Sequence, residues 1–188
     1  MTISTLDEKS ALLVVDLQKG IVGLPTAHPM AGVVASAVTL TDAFRDRGLP
    51  VVLINVDGVA PGRTERARPN IPMPSGWTDL LPELKQQASD HVVTKRSWGA
   101  FINTGLEQYL KGKGITQVVI AGVATSSGVE STARQAYEFG FNVALATDAM
   151  SDLSLEAHER SMQMIFPRLA ETGTSREIVD RLQGSRAA

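Results

Sequence analysis

Five short aliphatic runs, each closing on a polar residue or a glycine, constrain this chain more than any other feature. They are residues 11–15 before Asp16, 51–54 before Asn55, 92–94 before Lys95, 118–121 before Gly122, and 143–146 before Thr147 and Asp148. Runs this short and this rich in Val and Ile read as strands buried on both faces, because a strand with one wet face would alternate apolar and polar residues. Longer stretches separate them. Residues 30–47 carry Val34, Val38 and Phe44 at roughly helical spacing and stop before Gly48. Residues 104–111, 127–139 and 155–166 stop at Gly112, Gly140 and Pro167 in turn. Thr174 to Glu177 reads as a capping box opening a last helix that ends at Gly184.

Strand–helix alternation of this kind predicts an α/β fold, a parallel sheet with helices on both faces and right-handed crossovers. Residues 169–171 are expected to add a sixth strand. With 188 residues, no internal repeat and no composition shift, residues 1–188 read as a single domain. The one long irregular stretch, residues 57–77, holds Pro61, Pro69, Pro72 and Pro74. A loop of that length in a compact domain is expected to be a lid or a partner contact.

Composition removes several function classes. A formal charge of −2 offers nothing to a polyanion, so neither nucleic acid nor an acidic membrane is an expected partner. No run approaches the ~18 apolar residues a membrane span needs. The first ten residues include Asp7, Glu8 and Lys9 and do not read as a signal peptide, so a cytoplasmic location is expected. There is no cysteine, which excludes disulfides, thiolate metal sites and a cysteine nucleophile.

In an open parallel sheet, ligands bind beyond the carboxyl ends of the strands. That rule selects Asp16, Asn55, Lys95, Gly122 and Asp148. An acid and an ammonium arriving at one crevice from different strands would perturb each other's ionisation. The plainer alternative is that Asp16 caps the next turn and Lys95 lies on the surface. Trp98 would stand at the crevice mouth. Residues 122–133, joining a strand to a helix, would present helix N-terminal N–H groups able to hold a carboxylate or an oxyanion. No glycine-rich phosphate cradle is present, so no nucleotide cofactor is expected. His28, His91 and His158 show no metal-ligand spacing, and no metal is expected.

Four motifs in order, VVDLQ (14–18), TKRSWGAF (94–101), GVATSSGVESTA (122–133) and TDAMSD (147–152), resemble the isochorismatase-like hydrolase superfamily over about residues 10–182. The resemblance implies a three-layer Rossmann-like sandwich with a six-stranded parallel sheet, a small-molecule substrate, and a homodimer or homotetramer. It implies a non-proline cis peptide at residues 123–124. Most such hydrolases use an Asp–Lys–Cys triad on amides. Asp16 and Lys95 match its first two members, and the cysteine position is Gly128. Nicotinamidases bind a metal through an Asp and His residues after the second strand; residues 55–60 here hold no His, so no metal is implied.

Isochorismatases proper also carry glycine at the cysteine position and cleave an enol ether. On that pattern Asp16 donates a proton, Lys95 positions the substrate or balances its charge, and Gly128 leaves room. Gln18, Arg63, Arg66, Arg96, Trp98, Ala124, Thr125 and Ser127 are the candidate substrate contacts. The turn departs from the isochorismatase pattern, having Ala124, Thr125, Ser126 and Ser127 where aromatic and His residues are usual. Two alternatives stand beside this reading. One is a C–N hydrolase in which Ser126, Ser127 or water replaces the thiol. The other is a non-catalytic descendant that binds a ligand or partner in the old crevice.

Overall fold

The computed structural model describes residues 3–65 and 73–184. Its strands are β1 (Ser10–Val15), β2 (Val51–Val56), β3 (His91–Lys95), β4 (Gln117–Val123), β5 (Asn142–Ser151) and β6 (Glu171–Gly173). They form one sheet in the order β3-β2-β1-β4-β5-β6, every pair parallel. The helices are α1 (Lys19–Val22), α2 (Met30–Asp46), α3 (Leu106–Gly112), α4 (Glu130–Glu138), α5 (Leu155–Arg160) and α6 (Ser175–Gly184).

Period-two alternation divides each buried strand between two cores. Leu13 and Val15 of β1 pack with Leu106 and Leu110 of α3 and with Ala133 and Ala136 of α4. Leu12 and Val14 face the other way, onto Val33, Ala37, Leu40 and Phe44 of α2 and Ile178 and Leu182 of α6. The α2 positions fall three or four apart, which sets them along one stripe of the helix. The larger of these side chains, Val33, Leu40 and Phe44, contribute about 1.5–3 kcal/mol each when fully buried. The result is the expected three-layer α/β/α sandwich.

The capping box forms as read: the Thr174 N–H donates to Glu177 Oε2 at 2.7 Å and the Glu177 N–H to Thr174 Oγ1 at 3.2 Å. Other boundaries differ. The sixth strand lies at Glu171–Gly173, not at residues 169–171. The helix expected from residue 127 begins as a π-helical turn, Thr125–Val129, and becomes regular only at Glu130. The one expected over residues 155–166 is regular only to Arg160, then passes through a π turn, Ser161–Ile165.

The largest difference is in β5. Ile120 pairs with Leu145 but Gly122 pairs with Met150, so β5 bulges and continues to Ser151. Asp148 therefore does not end the strand. Its carboxylate turns away and accepts the Ser175 N–H and Oγ–H, both at 2.6 Å, at the start of α6.

Strand order reverses direction at β1, with β2 on one side and β4 on the other. Beyond the carboxyl ends of β1 and β4 lies the switch-point crevice where doubly wound folds place their ligands.

Candidate active site

Asp16 follows β1 directly, at φ 52, a left-handed conformation uncommon for a side-chain-bearing residue. Lys95 is the last residue of β3, and its side chain reaches across β2. Its Nζ lies 2.8 Å from Asp16 Oδ2, and the two side chains are 2 % and 8 % exposed respectively. Nζ also donates to the Ser97 carbonyl at 3.0 Å. The other carboxyl oxygen, Asp16 Oδ1, is buried and has no hydrogen-bond partner among the described residues. Burial disfavours the carboxylate and Lys95 favours it. Burial is the larger effect, so the Asp16 carboxyl is pushed up from 3.8 to about 6.

Gly128 borders the same corner. A Cβ placed there would meet Asp16 Oδ2, the Val123 carbonyl oxygen and Val15 Cγ1, each at 3.1 Å. A side chain at this position would press on the acid, on the Val123 carbonyl and on Val15. The turn holding Gly128 follows a cis peptide at Val123-Ala124. Thr132 Oγ1 donates to the Gly128 carbonyl at 2.7 Å and accepts the Ala100 N–H at 3.2 Å, tying residues 94–101 to the turn.

The turn is less open to an anion than its sequence suggests. The Ser127 and Val129 N–H groups both donate to the Ala124 carbonyl at 3.1 Å. The Ser126 N–H donates to Asp152 Oδ2 at 2.6 Å. Three of the amides expected to face a ligand are engaged within the fold.

The other expected contacts scatter. Gln18 is fully buried; its amide nitrogen donates to the Val56 and Trp77 carbonyls and its oxygen accepts the Val56 N–H, so it ties β2 to the loop before residue 80. Thr125 is buried, with its hydroxyl on Ser151 and His158. Ala124 and Ser127 are half-buried on the turn, and Arg63 is exposed. Trp98 is 66 % exposed. Arg96 is exposed and its guanidinium is held by Asp57, at 2.8 and 3.0 Å. Arg66 lies outside the described residues. Asn55 sits inside β2 and donates to the Thr78 carbonyl.

A cleft of about 600 Å³ opens beside this corner, lined by Asp57, Thr94, Arg96, Ser97 and Ile102 among others. Asp16, Lys95 and Gly128 are not on its walls, so size alone does not locate the chemistry. Among the described residues no group of three or more His, Cys, Asp or Glu side chains is placed to hold a metal ion. Nor is any helix there long and apolar enough to cross a membrane.

Sequence reasoning missed a cluster behind the turn: His28, Ser151, Asp152 and His158. His158 Nδ1 lies 2.9 Å from Thr125 Oγ1, and the His28 and His158 rings meet edge to face at 4.6 Å. The sequence placed His158 only within a helix, in a surface or capping role, which says nothing about a partner 33 residues away.

A doubly wound sheet with a buried acid–ammonium pair at its switch point has the layout of an enzyme. The model of the isochorismatase domain matches residues 10–177, and the chain belongs to the isochorismatase family of hydrolases. It is 39 % identical to the isochorismatase family protein YwoC of Bacillus subtilis, over 94 % of this chain and 95 % of that one. It is 40 % identical to YecD of Escherichia coli O157:H7, over 92 % and 96 %. An isochorismatase family protein from Burkholderia thailandensis superposes with a TM-score of 0.92 at 38 % identity, covering 97 % of this chain and all of that one.

Proposed function

We propose that this hydrolase cleaves a small polar or anionic substrate without a covalent nucleophile, with Asp16 as the general acid. One observation carries the reading: a buried carboxyl raised to about 6 stands against a position that has no side chain. For an enol ether, protonated Asp16 delivers its proton to the vinyl carbon. Water then adds to the resulting oxocarbenium carbon, its extra proton returns to the Asp16 carboxylate, and the hemiketal collapses to a carbonyl compound and an alcohol. Lys95 stabilises the carboxylate that proton transfer leaves behind, which favours the step. The orphaned Oδ1 supports Asp16 as the group that meets the substrate. A more distant relative is named isochorismatase, from Bacillus subtilis, at 27 % identity over 187 residues.

The second reading is C–N hydrolysis, favoured by a relative named ureidoacrylate amidohydrolase, from Variovorax paradoxus, at 29 % identity over 182 residues. It needs a nucleophile with a base. No hydrogen bond joins the Ser126 or Ser127 hydroxyl to Asp16, whose one polar side-chain partner among the described residues is Lys95. The same reading gives the enzyme a small-molecule substrate, a homodimeric or homotetrameric assembly and a cytoplasmic location.

The test is a screen of enol ethers, amides and ureides with the wild type, Asp16→Asn and the Ser126→Ala, Ser127→Ala double variant. Loss of turnover in Asp16→Asn with retention in the double variant is expected. A fully active Asp16→Asn enzyme rejects the assignment.

A further inference from the structure

The cluster behind the turn has a defined hydrogen-bond logic. Thr125 is fully buried and its hydroxyl carries one proton. It donates that proton to the Ser151 carbonyl, an acceptor only, at 3.0 Å. Its contact with His158 Nδ1 at 2.9 Å must then be accepted from the ring, so neutral His158 carries its proton on Nδ1. Asp152, the residue after Ser151, takes the neighbouring Ser126 N–H at 2.6 Å. The first two residues of the π turn are thereby pinned to the end of β5 and to α5. Gly128, the fourth residue of the turn, stands against the Asp16 carboxyl.

We propose that His158 is a positioning residue of the site: its Nδ1–H, acting through Thr125, holds the Thr125–Val129 turn closed over Asp16. The proposal rests on the reading of Asp16 and Gly128 as the reacting corner, but not on any particular substrate. His158 reaches no reacting atom. It supports a turn whose position sets how much water meets the acid. Ser154 caps α5 by accepting the Ala157 N–H at 3.2 Å, which fixes the helix that delivers the ring. His28 packs on the ring edge and itself contacts Ser151 Oγ at 3.2 Å, so the ring has little freedom to turn. Loosening the turn admits water to Asp16 and removes part of the burial that raises its carboxyl.

The test uses NMR on the intact protein and needs no substrate. The titration midpoint of the Asp16 carboxyl carbon and the Gly128 amide shift are followed in wild type, His158→Phe and His158→Asn. The ¹⁵N shifts of His158 report its tautomer. His158→Phe fills the space without a donor and is expected to lower the Asp16 midpoint by about one unit. His158→Asn retains a donor and is expected to restore most of it. An Nε2–H tautomer in the wild type overturns the proposal. So does a folded His158→Phe protein with an unchanged Asp16 midpoint, or a His158→Asn protein shifted as far as His158→Phe. Should His158→Phe not fold, Thr125→Val and Thr125→Ser make the same comparison at the other end of the bond, and an unchanged midpoint in Thr125→Val overturns it. Failure of the general-acid reading appears separately, as turnover by Asp16→Asn.

Discussion

Lys95 Nζ and Asp16 Oδ2 lie 2.8 Å apart in a corner closed to solvent, yet the acid there is harder to ionise than a free one. Desolvation exceeds what a single ammonium returns. The catalytic consequence is a declining pH profile. With Asp16 at about 6, roughly a tenth of the enzyme is protonated at pH 7. For general-acid catalysis, kcat/KM should fall about tenfold per unit above pH 6. A profile rising through the same midpoint would mean that the carboxylate is the active form, and would favour the amide reading.

The same shift acts on stability. The folded value lies above the unfolded one, so the contribution from Asp16 is fully present below 3.8 and is lost as pH rises through about 6. A shift of about two units corresponds to about 3 kcal/mol. Lys95→Met removes the opposing charge and leaves burial alone. The Asp16 midpoint should then rise above 6, and the stability loss at pH 7 should stay below about 3 kcal/mol, because the lone acid turns neutral instead of remaining an unpaired buried charge. Carboxyl-carbon NMR and urea melts at pH 5 and pH 8 check both.

Asp148 gives a prediction of the opposite kind. Its carboxylate caps α6 through Ser175 and lies away from the crevice. Asp148→Ala should cost about 1–2 kcal/mol, or about 2–8 °C in melting temperature, with kcat/KM unchanged. A catalytic loss at constant stability would return Asp148 to the site.

What could be read in the sequence follows from the range of the interactions involved. The strand runs of β1, β2 and β4 and the Thr174–Glu177 box are local patterns that formed where periodicity and capping chemistry put them, whereas β3, read as buried on both faces, lies at the sheet edge and leaves Val92 exposed. Asp16 and Lys95 were legible because strand ends converge at a switch point by rule. The β5 bulge was not, since a run of small and aliphatic residues carries no mark of where its pairing register will slip. The π turn at Thr125 and the His158 contact were hidden for a similar reason: both depend on packing between segments distant in the chain. Gln18 and Thr125 look like polar ligand contacts in the sequence. Both are buried, and their hydrogen bonds hold the backbone around the crevice.

Gly128 offers the sharpest test of the corner's shape. A methyl group there meets Asp16 Oδ2, the Val123 carbonyl and Val15 Cγ1 at 3.1 Å, tighter than ordinary contact, and two of the three belong to the backbone or to a β-branched side chain with little room to move. Gly128→Ala should therefore cost about 1–3 kcal/mol by overpacking. It should also lower kcat/KM by at least about tenfold, because the methyl occupies the space beside the acid. Gly112, the last residue of α3, is the control: a Cβ there meets nothing within 4 Å among the described residues. Gly112→Ala should be neutral or stabilising by up to about 1 kcal/mol, with activity intact. Differential scanning calorimetry beside the enzyme assay separates the two. A Gly128→Ala protein as stable and as active as Gly112→Ala would show that the space beside Asp16 is not where the substrate goes.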